Sequence, residues 1–483
     1  MPRWGRTACD APGERNAAWP WRNPPRSMPP RHAARHEPKM PLGTPVRCST
    51  TRVSACPRVR PVPPTYRSPR PPRCEPLRPI PRARRSPTRT SSPTPAVHAE
   101  RDAPRQEIAM TNPLARLPEL GQSVYVDEIR RSWLEDDTLE TYVQRDAVRG
   151  VTSNPAIFQK SIAETSDYQS AIRDLARAGH DVPAIYEALV VEDIARAADV
   201  FRPQWDASDG RYGWVSLEVS PHLAHDADGT VREARHLFAR VARPNVFIKV
   251  PGTEAGVPAV RTLLTEGVPV NVTLLFGLAR YAEVLEAHLA AMEARAAAGE
   301  RPNVASVASF FLSRIDVAID PMLDALANRS SDLAARAERL KGRIAVANAK
   351  LAYAHWQGVM QSDRWATLAN VGTHPQRLLW ASTGTKNPAY SPVTYVEPLI
   401  GPDTVNTMPT ATLDAYREMG NPANRIGEGV EDARQRLGEL AALGIDLDEV
   451  TATLEAEGVE KFVTPFDALM RTLDEAVRSV TSD

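Results

Sequence analysis

Residues 246–252 read VFIKVPG and residues 268–276 read VPVNVTLLF, two short apolar runs that are separated by 15 residues. Each run has the length of a buried strand, and the spacer is long enough for a helix. Six further runs have the same character: VYVDEI (124–129), RGVTSNPAIF (149–158), YGWVSLEVS (212–220), VASVASFFLS (304–313), LLWAST (378–383) and DTVNTMP (403–409). Eight strands that alternate with helical stretches predict parallel βα units, and eight such units favour a closed (β/α)8 TIM barrel.

Amphipathic stretches between the runs support this α/β class. Examples are AIYEALVVEDIARAADVF (184–201), REARHLFARVA (232–242) and ARYAEVLEAHLAAMEARAAAG (279–299), the last ended by Gly299. An open doubly wound sheet is the alternative, but no G-x-G-x-x-G follows the first strand, so its commonest ligand motif is missing. The residues after 427 predict extra C-terminal helices outside the eight-unit pattern.

The first 109 residues differ in composition from the rest. They hold 22 of the 59 basic residues, 7 of the 59 acidic residues, 24 of the 44 prolines and all four cysteines. Such an Arg/Pro-rich extension has too few apolar residues to offset the entropy of ordering, so we expect residues 1–109 to be disordered and residues 110–483 to form the barrel. Three origins remain open for the extension: a mis-assigned start before Met110, a real basic tail, or a targeting peptide.

Residues 110–483 have the composition of a globular enzyme. They contain no cysteine, which excludes disulfides and cysteine-bound metals there. No apolar run approaches the roughly 18 residues of a membrane span. We therefore expect a cytoplasmic protein; for its assembly, a monomer and a homodimer both stay open.

Polar residues interrupt six of the apolar runs. A strand covered by helices should be almost entirely apolar, so these interruptions call for another explanation. In a barrel, the C-terminal ends of the strands converge on one mouth, where active sites of this fold lie. The interrupting residues are Asp127, Asn154, Glu218, Lys249, Asn271, Thr273 and Ser309.

Lys249 is the strongest candidate for catalysis. It follows Val246, Phe247 and Ile248 in a predicted buried strand, and this strand offers its side chain no path to solvent. Burial disfavours the charged ammonium and frees the amine to attack a carbonyl as a Schiff-base nucleophile. A buried ion pair with Glu218 is the structural alternative.

Two carboxylates and several neutral groups complete the candidate site. Glu218 and Asp127 lie on different strands and can divide acid–base work if their environments separate their pKa values. Asn154, Asn271 and Thr273 suit the hydroxyls of a polyol, although Asn154 before a proline can simply begin a turn. Ser309, Arg314 and Lys386 can supply a phosphate site near the barrel mouth; a surface ion pair is the alternative for Arg314.

The same strings resemble the transaldolase family in their order along the chain. GVTSNPAIF (150–158) resembles its first signature, and the later strand motifs are similar to VSLEVS, IKVPGT, NVTLLF, ASFFLSR and WASTGTKNPAY. The resemblance covers essentially all of residues 110–483 and is closest to the long transaldolases of actinobacteria and similar bacteria.

This resemblance implies a class I aldolase-type barrel that uses no metal and no cofactor. It implies that Lys249 forms the Schiff base, that Glu218 works through a water held by Thr273, and that Asp127 takes the proton of the C4 hydroxyl. It also implies substrate-binding roles for Thr152, Asn154, Asn271, Ser309, Phe311, Arg314 and Lys386. The short bacterial pattern of the family implies an arginine in this region, whereas here Lys386 stands in a longer loop, and lysine lacks the bidentate fork of arginine.

The resemblance therefore implies transfer of a dihydroxyacetone unit from sedoheptulose 7-phosphate to glyceraldehyde 3-phosphate, in the pentose phosphate pathway. A fructose 6-phosphate-type class I aldolase, which releases free dihydroxyacetone, is the alternative enzyme. A nucleic-acid-binding protein that acts through the Arg-rich tail is an alternative of another class. Against it, residues 110–483 carry 52 acidic and 37 basic side chains and should repel a phosphate backbone.

Overall fold

Eight parallel strands close into a barrel in the computed structural model, which describes residues 112–482. Each strand pairs with the next along the chain, and the first pairs with the eighth. Every strand residue except Arg149 is buried, as expected for a sheet that helices cover. The strands are β1 (Gln122–Val126), β2 (Val148–Val151), β3 (Trp214–Glu218), β4 (Val246–Pro251), β5 (Val270–Leu275), β6 (Ser306–Phe311), β7 (Arg377–Ala381) and β8 (Thr404–Met408).

The predicted TIM barrel is therefore confirmed, and its strands match the eight apolar runs. One run needs correction, because residues 149–158 are a strand only as far as Val151. Pro155 begins a helical turn there, and the side chain of Asn154 caps it by accepting the Ile157 N–H at 3.0 Å. Asparagine before a proline favours a helix start, which ends the strand early. The predicted disordered extension, residues 1–109, lies outside the described residues.

Helices connect the strands and cover the barrel. Gly299, with φ +74°, follows the helix before β6, in the position that the sequence predicts for its end. The helices are α1 (Pro113–Arg116), α2 (Thr138–Arg145), α3 (Pro155–Phe158), α4 (Gln169–Arg177), α5 (Val182–Ala207), α6 (Ala227–Val241), α7 (Gly256–Glu266), α8 (Leu278–Ala297), α9 (Ser313–Ala327), α10 (Ser331–Leu340), α11 (Ile344–Met360), α12 (Asp363–Asn370), α13 (Thr410–Met419), α14 (Val430–Ala442) and α15 (Leu447–Ser482). Short 3₁₀ turns lie at Leu117–Leu120, Ser132–Leu134, Pro221–Leu223 and Glu397–Leu399, and a π turn lies at Gln159–Ala163.

The two last helices, α14 and α15, are the predicted additions to the eight-unit pattern. Helix α15 packs against α3, α4, α5, α9 and the C-terminal part of β5. Gly458 allows this close approach, because a Cβ there would lie 3.0 Å from Leu274 and 3.6 Å from Phe276. The helix therefore crosses the barrel at the ends of its strands, next to the cavity described below.

Two properties of the described chain bear on its surroundings. Within residues 112–482, no helix combines the length and apolar character needed to cross a membrane. In the same part of the chain, no group of three or more His, Cys, Asp or Glu side chains is arranged to hold a metal ion.

Candidate active site

A cavity of about 190 Å³ lies at the C-terminal ends of the barrel strands. Its walls come from residues at or just beyond seven of the eight strands and from helix α15. Nine of the eleven residues that the sequence singles out line it: Asp127, Thr152, Asn154, Lys249, Thr273, Ser309, Phe311, Arg314 and Lys386. The other two, Glu218 and Asn271, lie buried directly beside it.

A larger groove, of about 460 Å³, lies between α9 and α15 and shares Arg314 with the cavity. Its lysine, Lys461, is half exposed and bonded to Glu457 one helical turn away. Such a pair is a solvated surface contact of little energetic weight. The smaller cavity, which holds a buried lysine, is therefore the candidate active site.

Lys249 and Glu218 form a buried ion pair at the centre of the site. They are register partners on β4 and β3, and Lys249 Nζ donates to Glu218 Oε2 at 2.9 Å and to the Ser153 carbonyl at 3.2 Å. Lys249 is 4% exposed and Glu218 is 7% exposed. Burial raises the pKa of the Glu218 carboxyl, and the charge of Lys249 acts in the opposite direction. The ion pair that the sequence left as an alternative is thus present, and its lysine lines the cavity.

Asp127 supplies a second carboxylate from the end of β1. Its Oδ1 accepts the Thr152 hydroxyl at 2.6 Å, and Thr152 lies 2.6 Å from the hydroxyl of Thr407 on β8. Burial raises the pKa of the Asp127 carboxyl, while the Thr152 hydrogen bond and the Lys249 charge oppose this rise. A carboxylate that binds protons more tightly than in water is a better base for a substrate hydroxyl.

Neutral polar groups connect the middle of the barrel. Ser309 Oγ donates to Asn271 Oδ1 at 2.6 Å, and Asn271 Nδ2 donates to Ser216 Oγ at 3.1 Å. Both amide atoms of Asn271 are therefore already used within the protein. By contrast, the Thr273 hydroxyl lines the cavity and makes no hydrogen bond to any group of residues 112–482.

Two cations face the cavity without an acidic partner among the described residues. Arg314, in the first turn of α9, lies with its guanidinium carbon 5.5 Å from the ring centre of Phe311. Its Nη1 is buried and has no hydrogen-bond partner in residues 112–482, and burial lowers the pKa of its guanidinium. Lys386, on the loop after β7, lines the same cavity. Unpaired cations beside a buried nucleophile are suited to a substrate that carries a phosphate.

The structure adds several groups that the sequence did not single out. Phe462 of α15 is 4% exposed, and its ring centre lies 5.3 Å from Lys249 Nζ. Ser382 and Leu274 have positive φ angles of +55° and +60° at the ends of β7 and β5. Strained backbone of this kind occurs often where strands present functional groups. Nothing local in the sequence marks these residues, because their roles depend on contacts between distant segments.

Known proteins resemble this chain over most of its length. Residues 124–473 match the family described as Transaldolase/Fructose-6-phosphate aldolase. The chain is 43% identical over 377 residues to a transaldolase of Trichodesmium erythraeum, which covers 77% of this chain and 99% of that protein. It is 45% identical over 373 residues to transaldolase 2 of a Nostoc species (76% and 98%). It is 44% identical over 361 residues to a transaldolase of Mycobacterium bovis (74% and 95%). The matched span contains every residue that lines the cavity.

Proposed function

Because the chain belongs to the transaldolase/fructose-6-phosphate aldolase family, we propose that it transfers a dihydroxyacetone unit through a Schiff base on Lys249. The donor is sedoheptulose 7-phosphate and the acceptor is glyceraldehyde 3-phosphate, which gives erythrose 4-phosphate and fructose 6-phosphate. The enzyme then acts in the non-oxidative pentose phosphate pathway. Its partners are sugar phosphates rather than nucleic acid or membrane, and it works as a monomer or homodimer.

The first step uses the buried ion pair. A proton moves from Lys249 to Glu218, whose pKa is raised by burial, when the substrate enters and displaces water. The neutral amine attacks C2 of the ketose, and the carbinolamine loses its oxygen as water to give the iminium. Glu218 is placed to deliver the proton that this departure needs, since its Oε2 lies 2.9 Å from Nζ.

Carbon–carbon cleavage uses Asp127. Its carboxylate takes the proton of the C4 hydroxyl, the C3–C4 bond breaks, and the electron pair passes into the iminium to form an enamine. The aldose phosphate leaves as the aldehyde. The protonated imine accepts the electron pair of the broken bond, a role that a cofactor fills in other enzymes. The reverse sequence joins the enamine to the acceptor, and Asp127 returns the proton.

Release of the product needs a water at C2. The free Thr273 hydroxyl and Glu218 Oε1 both lack a hydrogen-bond partner among residues 112–482. Together they can hold and activate that water. On this assignment Glu218 serves the formation and the hydrolysis of the imine, while Asp127 serves the cleavage.

The phosphate group is bound at the side of the cavity that carries Arg314 and Lys386. Arg314 has a buried Nη1 available, and Lys386 adds a second charge on the neighbouring loop. The juxtaposition of a buried, carboxylate-paired lysine with two unpaired cations in one cavity is the observation that carries the proposal.

The test distinguishes transaldolase activity from fructose 6-phosphate aldolase activity, the two activities that the family name contains. The protein is supplied with fructose 6-phosphate alone, and then with erythrose 4-phosphate added. A transaldolase produces sedoheptulose 7-phosphate at a rate that far exceeds the release of dihydroxyacetone from fructose 6-phosphate alone. Equal release of free dihydroxyacetone with and without the acceptor would replace the proposal with the aldolase alternative.

A further inference from the structure

The loop that carries Lys386 is joined to helix α9 by two tyrosine hydroxyls. This loop, residues 382–396, connects β7 to the short turn before β8. Tyr390 Oη donates to Asp320 Oδ2 at 2.6 Å, and Tyr395 Oη donates to Asp316 Oδ2 at 2.9 Å. Asp316 and Asp320 are four residues apart, so they share one face of α9. The loop is therefore fixed to that face at two points.

Each aspartate also holds the start of α11. Asp320 Oδ1 accepts the Gly342 N–H at 3.0 Å, and Asp316 Oδ1 accepts the Ala345 N–H at 2.9 Å. One oxygen of each carboxylate thus accepts from the loop, and the other accepts a backbone N–H at or just before the first turn of α11. The backbone N–H bonds to Oδ1 therefore hold each aspartate independently of the tyrosine hydroxyl that its Oδ2 accepts.

Gly342 makes room for one of these tyrosines. Its φ is +63°, and a Cβ at this position would lie 2.6 Å from Cζ of Tyr390 and 2.9 Å from its hydroxyl. Any larger residue would push the ring away from Asp320. The turn between α10 and α11 is therefore shaped to accept Tyr390.

This arrangement links the two cavity cations through one helix. Arg314 lies in the first turn of α9 and lines the cavity; Asp316 lies in the same turn, and Asp320 lies one turn further along. Lys386 lines the same cavity, and it also lines a crevice of about 390 Å³ between the loop and α9. Helix α9 therefore carries Arg314 directly and carries Lys386 through the tyrosine–aspartate pairs.

We propose that Tyr390 and Tyr395, bonded to Asp320 and Asp316, are positioning residues that hold Lys386 beside Arg314 and so set the affinity for the substrate phosphate. This inference rests on the proposed function, since it assigns phosphate binding to Lys386. A lysine is a point charge on a flexible stem, so its contribution depends on how well its backbone is held. A loop ordered in advance loses less entropy when the phosphate binds.

The test is Tyr390→Phe, because Tyr390 is only partly buried whereas Tyr395 is fully buried. We expect the KM for fructose 6-phosphate to rise about fivefold to twentyfold while kcat stays within about twofold, since the lost interaction concerns binding and not chemistry. The Ki of inorganic phosphate, measured as a competitive inhibitor, should rise by the same factor. In a Lys386→Ala background the same substitution should raise KM no further, because the charge that it positions is gone.

The control is Tyr353→Phe, because the Tyr353 hydroxyl donates to the Pro402 carbonyl at 3.0 Å, which lies outside the loop. It should leave KM and the phosphate Ki unchanged. An unchanged KM in Tyr390→Phe, or an equal rise in the Lys386→Ala background, would overturn the positioning role. If the wild-type protein transfers no three-carbon unit, the proposed function itself fails. If the wild-type protein is active and Tyr390→Phe has the same KM, only the positioning role fails.

Discussion

Replacing Glu218 by glutamine removes the carboxylate that is bonded to Lys249 and leaves the shape of the side chain. The side chains of the pair are 3% and 5% exposed, so bulk water can replace little of the lost contact. Removing one partner of a buried ion pair costs roughly 3–5 kcal/mol, because the other charge remains buried without compensation. We expect the free energy of unfolding of Glu218→Gln to fall by about that amount at pH 7.

The catalytic effect should accompany the loss of stability. General acid–base groups contribute about 10²–10⁴-fold in rate, so imine formation with fructose 6-phosphate should slow by a factor in that range. Urea unfolding followed by tryptophan fluorescence gives the stability, and borohydride quenching at short times gives the rate of imine formation.

A double variant separates the ion pair from general damage. Lys249→Met combined with Glu218→Gln removes both charges, so it should regain about 2 kcal/mol or more of the stability lost in Glu218→Gln. Glu233→Gln is the matched control, because Glu233 also has a pKa raised by burial but bonds the Ser220 N–H instead of a lysine. It should keep full turnover. A Glu218→Gln protein with wild-type stability and wild-type imine formation would refute the reasoning.

Three further predictions concern other parts of the structure. Asp127→Asn should form the imine with fructose 6-phosphate but accumulate the six-carbon adduct, because no base is left to take the proton of the C4 hydroxyl. Intact mass after a borohydride quench identifies the adduct. A three-carbon adduct formed at the wild-type rate would exclude Asp127 as that base. Phe462→Ala should raise the release of free dihydroxyacetone relative to transfer several-fold, because the ring that covers Lys249 Nζ keeps water from the imine. Phe466→Ala, one turn further along α15 and packed on Tyr186, is its control and should leave the ratio unchanged. His288 is fully buried, and burial lowers its pKa from 6.5 to about 4. The folded protein therefore resists protonation of His288 and loses roughly 3 kcal/mol of stability as the pH falls from 6.5 towards 4. Urea unfolding of His288→Leu should show a smaller loss over this pH range, and a pH profile equal to that of the wild type would contradict the assignment.

The barrel and most of its site could be predicted from the sequence for one physical reason. Strands covered on both faces are apolar, so a polar residue within them stands out and indicates either a destabilising residue or a functional one. Lys249 in VFIKVPG and Glu218 in VSLEVS are such exceptions, and both lie at the centre of the candidate site. Asp127 is equally visible, whereas Thr152, which donates a hydrogen bond to it, enters only through the family resemblance.

The remaining features depend on contacts that no local pattern reveals. Phe462 lies 213 residues after Lys249 in an amphipathic helix, where a phenylalanine normally means ordinary packing. Asn271 stands among the polar interruptions, yet its amide is bonded to Ser216 and Ser309 beneath the cavity. The partners of Tyr390 lie on α9, so the way in which the Lys386 loop is held could be seen only in the folded chain.

The most direct test of the central claim is covalent trapping of the nucleophile. Borohydride is added to the full-length protein with fructose 6-phosphate, and the adduct is located by peptide mapping. We predict one adduct, on Lys249, and none in Lys249→Arg, because a guanidinium stays protonated and cannot form the imine. Lys386 is the internal control, since it lines the same cavity but has no carboxylate partner among the described residues. A label on Lys386, or on any lysine other than Lys249, would contradict the proposed mechanism.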